Sequence, residues 1–170
     1  MAGLREVVLT RDRQLDQFKL GLETALKETE NSGLTLLIEP INTDDIPGYF
    51  LNSFDMALEI ISLFDTNRLR LQFDFYHCQK IHGNVTKWLQ KCTPYIAHMQ
   101  IANPPDRHEP SCGELNYPYL FELVDQTSYA GWMGCEYIPS TKTEDSLDWF
   151  QPYIKRQPVM GVKRKQDDSF

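Results

Sequence analysis

Residues 34–42, LTLLIEPIN, decide the fold. Leu34, Thr35, Leu36, Leu37 and Ile38 form a run with no charge, and Glu39 and Pro40 close it. A run apolar on both faces is expected for a parallel strand covered on each side. A carboxylate at its C-terminal end is out of keeping with a core and in keeping with a site. Three further stretches repeat the plan: Leu69 to Asp74 (LRLQFD), Ile96 to Gln100 (IAHMQ) and Gly131 to Glu136 (GWMGCE). Each ends in a side chain able to bind a metal.

Helical patterns separate these stretches. Leu15, Phe18, Leu22, Ala25 and Leu26 recur at spacings of three and four, which predicts an amphipathic helix over residues 11–31 that stops at Asn31-Ser32-Gly33. Ser53 is placed to cap a second helix carrying Met56, Ile60, Ile61 and Phe64. A polar stretch from His77 to Gly83 leads to a short helix at about 86–91, and others are expected at about 117–127 and 144–154. Strand and helix alternate in units of roughly 26 to 36 residues, so the expected fold class is α/β, with four parallel strands joined by right-handed helical crossovers. All four terminal side chains then emerge at one end of the sheet. Residues 103–116 form the longest irregular segment, carrying Arg107 and His108, and a loop of that length is usually functional.

Glu39, Asp74, Gln100 and Glu136 offer three carboxylates and an amide oxygen, a hard donor set suited to magnesium, manganese or calcium. Each carboxylate alone could equally be a salt bridge or a helix cap. His77, three residues past Asp74, reaches over the same mouth or is a structural histidine. Arg107 suits a substrate carboxylate, but pairing with Asp106, Glu109 or Glu114 fits the sequence as well. His98 shares a face with Gln100 at a deeper level. Cys78 beside His77 points apart from it, against a thiol nucleophile.

Composition narrows the function classes. The chain has 170 residues, 41% of them hydrophobic, and a formal charge of -7 with no basic stripe, which argues against a nucleic-acid surface. No stretch approaches the roughly 18 apolar residues of a membrane span. MAGLREVVLT is too short and polar for a signal peptide, and Cys78, Cys92, Cys112 and Cys135 lack metal-site spacing, so a cytoplasmic chain with reduced thiols is expected. The segment after Gln157, with Lys163-Arg164-Lys165, has no apolar period. Residues 1–156 are therefore assigned to the domain and 157–170 to a flexible tail.

With these residues in view, the sequence resembles the hydroxypyruvate isomerase family of the xylose isomerase-like superfamily of (β/α)8 barrels. The matching motifs are LLIEPINTDDIPGYFLN, LQFDFYHCQ, HMQIANPPDRHEP followed by GELNYPYLF, and GCEYIP. The resemblance implies that Glu39, Asp74, Gln100 and Glu136 hold Mg2+ or Mn2+, and that Glu39 and Glu136 are the acid/base pair. By the same resemblance His77 and Arg107 contact substrate oxygens. The implied reaction interconverts hydroxypyruvate and 2-hydroxy-3-oxopropanoate through an enediolate. Related sugar epimerases tend to carry histidine where this chain has Gln100, which favours the hydroxypyruvate branch over a ketose 3-epimerase. A complete barrel takes about 250 residues. The resemblance covers its second half, with MAGL matching the end of a fourth strand, so an inactive fragment is a further alternative. A half barrel exposes two sheet edges and its apolar inner face, both association hazards. The chain is therefore expected either to pair with another half barrel or to be unstable, and a monodisperse, cooperatively melting monomer in solution would overturn that expectation.

Overall fold

The computed structural model describes residues 2–154. Met1 and the tail expected at 157–170 lie outside the described residues. Among those described, no helix is long and apolar enough to cross a membrane. The elements run α1 (Arg11–Glu28), β1 (Leu36–Ile38), α2 (Phe54–Ser62), β2 (Leu69–Asp74), α3 (Phe75–His82), α4 (Val85–Cys92), β3 (Ile96–Ile101), α5 (Tyr117–Asp125), β4 (Met133–Cys135) and α6 (Gln151–Ile154). The strands form one sheet in the order β1-β2-β3-β4, with every neighbouring pair parallel.

Local chemistry accounts for most element ends. The Thr10 hydroxyl accepts from Arg13 N at the start of α1, and Ser53 Oγ does the same for Met56 N in α2. Helix α1 stops at Glu28, three residues short of the expected end, where Arg68 donates to the Leu26 and Thr29 carbonyls. Those are carbonyls that a helix C-terminus leaves without an internal partner. The stretch read as a polar connection from His77 is helical: α3 begins directly at Phe75, because the Asp74 carboxylate accepts from Tyr76 N and His77 N.

The two faces of the sheet differ. Leu69, Leu71 and Phe73 point toward the helices and are fully buried, as are Phe54 of α2 and Met99 of β3. Phe54 packs against Phe73 at a ring separation of 5.1 Å and against Trp88 at 6.0 Å. The alternate residues Leu37, Arg70, Gln72, His98 and Gln100 line the other, concave face. Strand β1 was expected to be buried on both sides, yet Leu37 is 38% and Leu34 56% exposed. The concave face has no opposite wall among the described residues, so only the helix-facing side of β1 is covered. Residues 2–5 do not join the sheet; Leu4 bridges antiparallel to Tyr49, and Arg5 N donates to the Gly48 carbonyl.

One irregularity sets the site. Leu71 pairs with Ile96, but Gln72 pairs with His98 and Asp74 with Gln100, so Ala97 is an extra residue in β3. A bulge of this kind reverses which side chains face which way. Without it, His98 and Gln100 would turn toward the helices.

Truncating Phe54 to alanine removes the ring at the centre of the helix-side layer and should cost about 3–5 kcal/mol in urea unfolding. Val7→Ser, at a fully exposed position, should stay within about 0.5 kcal/mol. Equal effects would contradict this core assignment.

Candidate active site

The C-terminal strand ends bring the expected carboxylates into one concavity. Glu39 follows β1 and is one-fifth exposed. Its Oε2 accepts from Gln72 Nε2 at 2.8 Å, while its Oε1 is buried without a hydrogen-bond partner. Asp74 is fully buried. Its Oδ1 caps α3 and its Oδ2 has no hydrogen-bond partner. The helix-cap role and the site role thus fall on different oxygens of one carboxylate. Gln100 accepts from the same Gln72 amide that binds Glu39. Glu136 continues the β3–β4 ladder through its N–H to the Ile101 carbonyl.

Arg107 joins the remaining acids. Its Nη2 lies 2.8 Å from Glu136 Oε2 and 3.9 Å from Asp74 Oδ2, and its Nη1 lies 3.8 Å from Asp45 Oδ2. None of Asp106, Glu109 or Glu114, which fit the sequence as partners, pairs with it. The loop carrying Arg107 is fastened from within. The buried Asn103 side chain donates to the Pro110 and Leu115 carbonyls and accepts from Leu115 N. Glu109 accepts from Ser140 N and Oγ. Gly113 allows the closure, since a Cβ there would collide with the Pro104 carbonyl and the Asn103 side chain.

His77 is buried on α3 with its Nε2 3.9 Å from Glu39 Oε1. Backbone N–H of Asn42 donates to His77 Nδ1 at 3.3 Å, so Nδ1 is an acceptor and the neutral ring carries its proton on Nε2. Burial, with the Arg107 charge next, lowers the imidazole pKa to about 4. Glu39, Asp74 and His77 have ligating atoms within 4.8 Å of one another, but this tautomer makes His77 a hydrogen donor toward the site. Asn42 and Gln72 were absent from the sequence reading. The spacing of Asn42 after Glu39 carries no signal for it, whereas Gln72 could have been found by extending the alternation back from Asp74.

Burial, together with the Asp74 and Glu136 charges, raises the Glu39 pKa to about 8. Burial also raises that of Asp74 to about 6, against the His77 N–H and Arg107 that favour its charge. Two desolvated carboxylates, each with an unpartnered buried oxygen and each near a further acid that disfavours its charge, fit a bound divalent cation. Gln100 is joined to this pair through the Gln72 amide, whereas Glu136, half-exposed and paired with Arg107, stands outside the cluster of Glu39, Asp74 and His77.

A family model described as Xylose isomerase-like TIM barrel matches residues 1–153, and the chain belongs to that family. Among curated relatives, a 2-oxo-tetronate isomerase of Cupriavidus necator is 46% identical over 92% of this chain and 60% of its own. A hydroxypyruvate isomerase of Escherichia coli is 45% identical over 71% of this chain and 46% of its own. The chain thus spans about half the length of the curated relatives it matches. A crystal structure described as AP endonuclease, family 2, from Brucella melitensis aligns with a TM-score of 0.83 at 40% identity, over 86% of this chain and 57% of that one. A 3-keto-D-glucoside 4-epimerase from E. coli aligns at 0.75 and 22% identity over the same shares, a likeness of fold alone. The four parallel strands are part of such a barrel.

The raised carboxylate pKa values set a pH dependence. A carboxyl whose folded pKa lies above its unfolded value binds more protons when folded, so its stabilising contribution is present below the unfolded pKa and is lost as pH rises through the folded one. For Glu39 that window runs from 4.5 to about 8. Without metal, thermal stability should fall across it, and Glu39→Gln should flatten the fall. Manganese or magnesium at pH 8 should restore stability to the parent but not to the variant in a melting experiment.

Proposed function

We propose that this chain carries the acid/base half of an isomerase acting on a small hydroxy-keto acid, with hydroxypyruvate and 2-hydroxy-3-oxopropanoate as the interconverted pair. The observation that carries the reading is the pair of unpartnered buried oxygens on Glu39 and Asp74 at neighbouring strand ends. The names of the curated relatives support it. Glu39, Asp74, Gln100 and Glu136 would hold the cation, Mg2+ or Mn2+. When bound, it would polarise the substrate's hydroxyl and carbonyl oxygens and acidify the C–H between them.

The residues then divide the work. Glu39, whose pKa of about 8 lies near neutrality, is suited to taking the proton from the hydroxyl-bearing carbon. Glu136, beside Arg107, delivers a proton drawn from solvent to the neighbouring carbon, Glu39 releases its own to solvent, and the hydroxyl proton passes from the oxygen on carbon 3 to that on carbon 2, so atoms and charge balance. The Nε2–H of His77 donates to a substrate oxygen as negative charge develops there. Arg107 receives the carboxylate through its planar fork.

A second reading is favoured by coverage: the chain matches 60% of the Cupriavidus relative. In that reading the wall opposite the carboxylates comes from further chain, and these residues bind metal without turnover. A ketose 3-epimerase using the same two glutamates is distinguished by substrate panel.

The test is hydroxypyruvate in deuterium oxide with magnesium or manganese, followed by proton NMR. Deuterium should enter at carbon 3 and the aldehyde should form. Glu39→Gln should slow deuterium entry, and Glu136→Gln aldehyde formation, by about two to four orders of magnitude, the range for a general acid/base group. Folded, metal-binding protein that leaves hydroxypyruvate unchanged would favour the second reading.

A further inference from the structure

The rim of the site carries a second cation. Helix α3 starts at the strand end, so Tyr76, His77 and Lys80 project from neighbouring positions of its first turns. Lys80 Nζ lies 2.8 Å from Asp45 Oδ1, 3.6 Å from Asp44 Oδ2 and 3.3 Å from the Tyr76 hydroxyl. Tyr76 in turn donates to Asp45 Oδ1 at 3.1 Å. Arg107 approaches the same acid from the opposite loop, at 3.8 Å from Oδ2. Both cations also lie over the Tyr76 ring, at 5.3 Å for Lys80 Nζ and 5.0 Å for Arg107 Cζ. One carboxylate from the loop after β1 therefore sits in a seat built by two cations and a phenol.

That arrangement is already a carboxylate-binding geometry. The Lys80 side chain is only 19% exposed and that of Asp45 24%, so the pair is shielded from the screening that weakens surface ion pairs. Lys80 and His77 stand three residues apart on α3, and Arg107 reaches both Asp45 and Asp74, which places the seat beside the hydrogen donor of the site.

We propose that Lys80 and Arg107 together receive the substrate's carboxylate, and that Asp45 is the internal counter-ion it displaces, so that the rim selects an anionic hydroxy-keto acid over a neutral sugar. The inference rests on the isomerase reading for the substrate's place in the site. It adds Lys80 and Asp45 as specificity-determining residues. It also requires opposite signs. Removing the cation weakens an anion that needs it, whereas neutralising Asp45 removes the group competing for the same seat.

The experiment is calorimetric titration of the full chain at fixed ionic strength with magnesium present, using glycerate as the anionic probe and glycerol as its neutral counterpart. Lys80→Gln should weaken glycerate by about tenfold, a change of 1.4 kcal/mol, and leave glycerol unchanged. Lys80→Arg should keep most of the affinity. Asp45→Asn, which retains a side-chain oxygen for the Tyr76 hydroxyl, should tighten glycerate. Both substitutions weakening glycerate, equal shifts for the two probes, or no glycerate binding by the parent chain would overturn the proposal. Glycerate binding with these signs but no turnover of hydroxypyruvate would leave it standing and remove the isomerase reading. Turnover with Lys80→Gln indifferent would do the reverse.

Discussion

The site depends on one carboxylate facing two ways. Asp74 ends β2 and begins α3, and its two oxygens serve those two neighbours separately: Oδ1 takes the first free N–H groups of the helix, and Oδ2 is left aimed into the concavity. Full burial of an acid is tolerable only when its charge is answered. The helix N-terminus answers half of it. The other half is answered at a distance by Arg107, which at 3.9 Å from Oδ2 is too far to hydrogen-bond. Burial, and behind it the neighbouring acids, shift both Glu39 and Asp74 upward. A substitution at Asp74 would consequently report on the cap as well as on any ligand role, which makes Glu39 the cleaner position from which to probe the donor set.

Arg107 belongs to the same balance. It lies within 4 Å of Asp45, Asp74 and Glu136, one from each of three strand-end segments. With Lys80 on Asp45, two cations face these three acids and Glu39. The arginine orders the acids, and the negative charge left over fits the divalent cation proposed above. Its loop is fixed by Asn103, Glu109 and Gly113, so the guanidinium is presented from a braced segment even though the loop has no regular structure.

Much of this was legible in the sequence because it depends on period. Alternating strands and helices, their order, and the placement of Glu39, Asp74, Gln100 and Glu136 at strand ends all follow from patterns along the chain. What escaped depends on events that leave no period. Helix α3 was missed because its start is specified by Asp74 itself, a residue already read as a strand end. The bulge at Ala97 was missed because an inserted small residue looks like ordinary strand, yet it turns Gln100 toward Asp74. Arg107's acid partners, Asp45, Asp74 and Glu136, lie far from it in sequence, so adjacency offered only Asp106, Glu109 and Glu114, of which Glu109 is engaged by Ser140. The tautomer of His77 depends on a backbone N–H supplied 35 residues earlier.

The concave face changes the argument about association. The inner surface was expected to be apolar, but β2 presents Arg70 and Gln72 there and β3 presents His98 and Gln100, with Leu37 the exposed aliphatic residue of β1. Polar side chains on that face lose less by meeting water than leucines would, because they keep hydrogen-bonding partners when uncovered. The drive to cover the sheet comes instead from its two margins, β1 and β4. Each is three residues long, and short edges offer few unpaired groups to a second chain. The inner face itself offers little apolar surface beyond Leu37. The two faces of the sheet separate stability from chemistry: Leu69, Leu71 and Phe73 maintain the fold from behind, and the residues between them remain available for the site.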